Sequence, residues 1–287
     1  MKNLKEYIIE GIFDTDEDTI DKSIKDQIKQ FLKDNFKGAS SCKISRKPNT
    51  DGKYEVSGSK DIEVINTNIT SLTNASFIWA EVDGDFICKD CNSLTSLAGA
   101  PRKVEGNFCC VRCESLTSLE GAPKEVEYFT CNACKSLMSL KGSPKKVNED
   151  FFCVECASLK SLKGAPEKVG GDFCCRWCNS LTSLEEAPKE VVGYFNCKGC
   201  RSLKSLKGAP TIVGGDFNCS DCNRLASLNG APKEVNGDFN CYDCNSLTSL
   251  AGAPEKVGGD FNCYGCRTNF SAEDVKKVSN VKGKIKV

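Results

Sequence analysis

Nine times the chain sets two cysteines three residues apart: Cys88/Cys91, Cys110/Cys113, Cys131/Cys134, Cys153/Cys156, Cys175/Cys178, Cys197/Cys200, Cys219/Cys222, Cys241/Cys244 and Cys263/Cys266. The two residues between them vary freely (KD, VR, NA, VE, RW, KG, SD, YD, YG), while neither cysteine becomes Val, Ala, Ser or Asn. Two such C-x-x-C pairs supply four thiolates, the ligand set of a tetrathiolate zinc site or an iron–sulfur cluster. The chain has no histidine, so its ligands are soft ones that suit zinc, iron–sulfur clusters or Cu(I). The metal reading takes all of these cysteines as ligands, in four-cysteine centres between neighbouring repeats. It favours iron–sulfur clusters, then zinc, in a linear array for electron transfer or storage. Two other readings compete. A buried cysteine also packs as a small hydrophobe, and thiols on strands roughly 4.8 Å apart fall within disulfide range. No Ser/His/Asp set or phosphate loop is present, so no enzyme is expected.

The spacing of the pairs says what must hold them. Leading cysteines recur every 22 residues, apart from one step of 21 between Cys110 and Cys131. The full unit is V-x-G-x-F-x-C-x-x-C-x-S-L-x-S-L-x-G-A-P. Valine, glycine, phenylalanine and cysteine at every second position predict a strand with one buried face. The two leucines turn into the same core, and Gly-Ala-Pro bends the chain back. One such coil cannot bury its own apolar face, so the coils must stack. The expectation is a repeat β-solenoid, leucine-rich-repeat-like, of about nine 22-residue coils with a short α-helical N-terminal region.

The stretch "CNSLTSLAGAPEKVGGDFNC" resembles bacterial leucine-rich repeats of the BspA-like class, over residues 84 to 266. That resemblance implies a protein-interaction scaffold with one cysteine per repeat, so the second cysteine departs from it. A leucine-rich-repeat-like scaffold with buried structural thiols is therefore the alternative to the metal array. The opening "MKNLKEYIIEG" resembles short capsid-targeting peptides of large tailed bacteriophages, which would imply packaging in a virion.

Four regions are expected: a helical region at 1–40, a hairpin and degenerate capping coil at 41–83, the C-x-x-C repeats at 84–270, and a C-terminal cap at 271–287. Two helices are expected in the first, "KNLKEYIIEGIF" and "DTIDKSIKDQIKQFLKDNF". In the second, "DIEVINTNITSL" reads as a coil without cysteines, with Ile69 and Leu72 at the leucine positions. In the last, Ile285 and Val287 stand where phenylalanine and cysteine would be.

Outside the pattern, Cys109 and Cys174 alternate onto the other strand face, and Cys42 lies before the stack; these are expected as ordinary surface or partly buried thiols. Asn196, Asn218, Asn240 and Asn262 point outward and could form an amide ladder, beside an acidic stripe of Asp172, Asp216, Asp238 and Asp260. Lysine and glutamate after Gly-Ala-Pro, as in Lys233-Glu234 and Glu255-Lys256, suit charge pairing between coils. Lys+Arg and Asp+Glu balance at 39 each, which predicts no nucleic-acid partner. No apolar run is long enough to span a bilayer, and a poor secretory signal points to a cytoplasmic protein whose thiols stay reduced. A redox or protein partner fits either reading.

Overall fold

The computed structural model describes residues 17–65 and 68–287. It is a β-solenoid whose repeats each contribute short parallel strands. A 12-stranded sheet carries the phenylalanines, from Ile62–Val64 through Phe86–Lys89 to Ile285–Lys286, and an 8-stranded sheet carries the valines, from Glu125–Val126 to Asn280–Val281. Registers join like to like: Phe173 pairs Phe195, and Val169 pairs Val191.

The expected unbroken V-x-G-x-F-x-C strand is in fact two strands with a corner at the glycine. The aspartate of the preceding coil explains that glycine. Asp85, Asp150, Asp172, Asp216, Asp238 and Asp260 each accept, through Oδ1, a backbone N–H of the next coil at 2.7–2.8 Å. A Cβ on the glycine of that next coil (Gly106, Gly171, Gly193, Gly237, Gly259 or Gly283) would overlap this oxygen. Where Tyr128 replaces the aspartate, the following coil carries Glu149 in the glycine's place. The acidic stripe is thus a ladder of backbone acceptors.

After the second cysteine the chain makes two tight turns. Ala100 N–H bonds Leu97 O at 2.9 Å with Gly99 at φ 89°, the type II geometry that favours glycine at its third position. Glu186 occupies that place in one coil at φ 65°. Inside, the leucine pairs are fully buried, and the phenylalanines from Phe86 to Phe261 form one column with centroids 5.1–5.8 Å apart. Each such ring is worth roughly 1.5–3 kcal/mol in burial, and stacking adds about 0.5–1.5 kcal/mol.

At the N-terminal end, helix Glu17–Asn35 buries Ile28 and Leu32. Strand Phe36–Lys37 runs antiparallel on Ile62–Val64, and Trp79 wedges between Phe36, Phe77 and Phe86. Lys43–Ile44 and Tyr54–Gly58 form the expected hairpin, and Ile62–Val64 pairs parallel with Phe86–Cys88 as a coil without cysteines. The helix expected at residues 2–13, and with it the capsid-peptide resemblance, lies outside the described residues. At the other end, helix Ala272–Val278 starts with a Ser271–Asp274 capping box, and Ile285 pairs Phe261. No helix among the described residues is long and apolar enough to cross a membrane.

Two outer columns resolve differently from each other. The four asparagines accept the N–H two residues ahead, within their own coil, at 3.0–3.2 Å. They make local Asx turns in place of the expected amide ladder. An amide-to-amide step occurs instead between Asn245 and Asn223, at 3.1 Å. Lysine–glutamate pairing between coils is present, as in Lys168–Glu190 at 2.7 Å and Lys256–Glu234 at 2.6 Å. These pairs are solvent-exposed and contribute about 0–1 kcal/mol each.

Candidate functional site: the thiol column

Residues three apart on a strand face opposite sides, yet both cysteines of every C-x-x-C are buried. The backbone achieves this by turning left-handed just before the second cysteine. Asp90, Arg112, Ala133, Glu155, Trp177, Gly199, Asp221, Asp243 and Gly265 all lie at φ 54–73°. Most carry a side chain, in a conformation that costs roughly 1–2 kcal/mol for an L-residue. Cross-coil hydrogen bonds hold it: Ala133 N–H donates to Val154 O at 2.7 Å, and Asp221 N–H to Tyr242 O at 2.9 Å. The free variation between the cysteines follows, because those side chains point away from the core and the constraint lies in the backbone.

The second cysteine of each coil has a definite partner. Cys113, Cys134, Cys156, Cys178, Cys200, Cys222, Cys244 and Cys266 each donate their S–H to the carbonyl of the leading cysteine one coil earlier, at 3.0–3.5 Å. The thiols meet along the same diagonal, as in Cys131–Cys156, Cys175–Cys200, Cys219–Cys244 and Cys241–Cys266. From Cys110 to Cys241 each leading cysteine therefore couples to the second cysteine of the following coil, whereas Cys88 is hydrogen-bonded to Cys91 of its own coil. This offset leaves Cys88, Cys91 and Cys113 hydrogen-bonded among themselves at one end of the column and Cys263 left over at the other.

The environment keeps the protons on sulfur. Cys131, donating to Cys156 and buried away from water, is held well above the ordinary thiol range. At Cys153 the hydrogen bond from Cys178 favours the thiolate, but burial and the neighbouring thiols outweigh it and push the group up to about 12. Chemically, then, thiols such as Cys131 and Cys153 are neutral S–H donors in an apolar core, whereas at the two ends of the column hydrogen bonds from Cys113 and Cys88 bring Cys91 down to about 4 and one from Cys241 lowers Cys266. All eighteen sequence-predicted ligands lie in the column; fourteen are brought together as seven twos along the diagonal, from Cys110–Cys134 to Cys241–Cys266. Among the described residues, no three Cys, Asp or Glu side chains are grouped to hold a metal ion.

The remaining thiols lie apart. Cys42 and Cys109 are partly buried, while Cys174 is buried, tighter than its outward strand position suggests. Burial pushes all three up to about 11. Sequence reasoning missed the S–H···O=C diagonal; its one visible signal was that the second cysteine never became Val or Ala, neither of which can donate. It also missed an outer aromatic patch, where Tyr128 meets Phe152 edge-on at 5.3 Å beside a buried Thr130 hydroxyl without a partner. No protein-family model, no curated protein and no solved structure matches this chain.

Proposed function

We propose that the chain is a leucine-rich-repeat-like interaction scaffold whose cysteines are structural. The observation that supports this most is the diagonal of S–H···O=C bonds, repeated at every coil junction from Cys88 to Cys266 at 3.0–3.5 Å. Each thiol partners a buried carbonyl, and Cys197 O also accepts a backbone N–H, from Cys200 at 3.3 Å; leaving such a group unpaired costs about 1–3 kcal/mol. The core then needs no ion to be satisfied, and recognition falls to the outer columns. There, breaks in the repeat such as Tyr128, Phe152 and Tyr194 distinguish one coil from the next.

A metal–thiolate array, iron–sulfur clusters before zinc and serving electron transfer or storage, is the second reading. It is favoured by the cross-coil sulfur contacts, which set thiol beside thiol all along the axis. It requires the thiols to give up their protons and turn from the carbonyls they now meet. Anaerobic purification separates the two readings. The scaffold reading expects a colourless, folded chain with iron, sulfide and zinc well below one per molecule, and all 21 cysteines titrating as thiols after unfolding. Stoichiometric metal, with loss of structure on chelation, overturns it in favour of the array.

A further inference from the structure

Cysteines that run in such numbers are open to oxidation, and the possible linkages are many. Within one coil, Cys153 could close on Cys156; along one column, on Cys175; along the diagonal, on Cys178. The structure distinguishes these routes. Cys178 Sγ lies 3.0 Å from the carbonyl oxygen of Cys153, and the two thiols are hydrogen-bonded to each other. The same holds for Cys110 with Cys134 and for Cys241 with Cys266. The geometry repeats at the seven junctions from Cys110 to Cys266, while at the first the Cys88 thiol is hydrogen-bonded to Cys91 of its own coil.

We infer that this chain is built to accept a ladder of inter-coil disulfides along that diagonal: Cys110–Cys134, Cys131–Cys156, Cys153–Cys178, Cys175–Cys200, Cys197–Cys222, Cys219–Cys244 and Cys241–Cys266. The co-reactant is a low-molecular-weight disulfide such as oxidised glutathione. One cysteine, as thiolate, attacks it, forming a mixed disulfide and releasing one glutathione thiol. The partner thiol then attacks the mixed disulfide, closing the protein bond and releasing the second glutathione. Two thiol protons and two electrons leave the protein at each rung, and one glutathione disulfide becomes two thiols. Because the couples are buried, exchange proceeds as the coils form or open. Each finished rung ties one coil to the next across a loop of about 25 residues, constraining the unfolded chain. Cys88, Cys91 and Cys113 are hydrogen-bonded among themselves at the N-terminal end and stand outside the ladder; Cys263 has no diagonal partner among the described residues, Cys42, Cys109 and Cys174 lie off the column, and these four hold at most a single glutathione each.

The test refolds the full chain in a glutathione redox buffer, alkylates what remains free, and maps crosslinked peptides by mass spectrometry without reduction. Expected are linkages between cysteines 24 or 25 apart, and an unfolding midpoint that moves to higher denaturant and returns on reduction. The variant Cys178→Ser makes the inference sharper. Diagonal pairing strands Cys153 and leaves Cys131–Cys156 and Cys175–Cys200 intact, whereas pairing within coils strands Cys175. A dominance of C-x-x-C linkages, of same-column linkages such as Cys153–Cys175, or a folded protein that forms no disulfide under these conditions, each overturns it. Metal content of the reduced protein is measured separately, so failure here leaves the scaffold reading standing.

Discussion

Two columns run the length of this solenoid on either side of the phenylalanines, and both join side chains to the backbone of a neighbouring coil. Outside, each aspartate Oδ1 accepts an N–H from the next coil at 2.7–2.8 Å. Inside, each second cysteine donates S–H to a carbonyl of the coil before, at 3.0–3.5 Å. The aspartate is a charged acceptor facing water; it could be replaced by solvent, and in two coils tyrosine stands in its place. The thiol is a weak donor facing a dry core, where no water can take over. That contrast explains why the outer column varies while the inner one does not: constancy follows burial of the partner group, not strength of the bond.

The largest way to separate the columns is alkaline titration. Buried thiols that titrate above the ordinary value in the folded chain favour the protonated native state. Their contribution is complete below pH 9, the ordinary thiol value, and is lost as pH rises toward about 12, where Cys153 titrates. In that window the unfolded chain binds fewer protons than the native one, so stability falls as pH rises, by roughly 1.4 kcal/mol per pH unit for each such thiol. With the thiols kept reduced, circular dichroism should show cooperative unfolding between pH 9 and 12 that the exposed aspartates do not contribute to. A chain still fully folded at pH 12 would show that the thiols do not hold their protons.

Next in size is Phe195→Ala, which removes the ring lying between the two columns. A loss of about 3–5 kcal/mol in urea unfolding is expected, and a loss below about 1 kcal/mol would mean the stacks repack freely. Breaking one rung of each column should give a smaller but unequal pair. Cys178→Ala leaves the buried Cys153 carbonyl unpaired and costs about 1–3 kcal/mol, most of it recovered in Cys178→Ser, which restores a donor. Asp216→Ala costs about 1 kcal/mol or less, because water replaces the carboxylate. Equal effects would remove the distinction drawn between the columns.

The outer column can be tested against its glycine. Gly237→Ala should destabilise the chain in its own background and less, though still measurably, in Asp216→Ala, since the added methyl meets the Asp216 carboxylate and also the backbone of Gly215 and Asp216. A double-mutant cycle with no coupling would mean that the corner, not the carboxylate, requires glycine. Smallest is Glu186→Gly. A glutamate held at φ 65°, where the other coils use glycine, should give a gain of about 0.5–1 kcal/mol in unfolding free energy when replaced.

Much of the architecture was legible because the repeat displays it. Phenylalanines at a constant interval and leucine pairs three apart predict a stacked core, and the fold buries those side chains throughout. The hairpin before the stack and the cysteine-free coil at Ile62–Val64 were also readable, since each keeps the apolar alternation of its neighbours. The glycine was misread as a strand position, because its reason lies one coil earlier: the carboxylate facing Gly237 belongs to Asp216. The diagonal contacts of the sulfurs were out of reach for a similar reason. Sequence adjacency suggested fours built from two C-x-x-C pairs, whereas the left-handed residue before each second cysteine sends its thiol diagonally.

The sequence by itself determined that the chain repeats, that the coils stack in register, and which side chains fill the core. Period and apolarity suffice for this, because a coil that cannot bury its own face has no alternative to its neighbour. The tertiary structure alone decided how the thiols pair. That choice depends on a backbone turn at φ 54–73° and on which carbonyl is left facing the core, and neither is written in the residues between the cysteines.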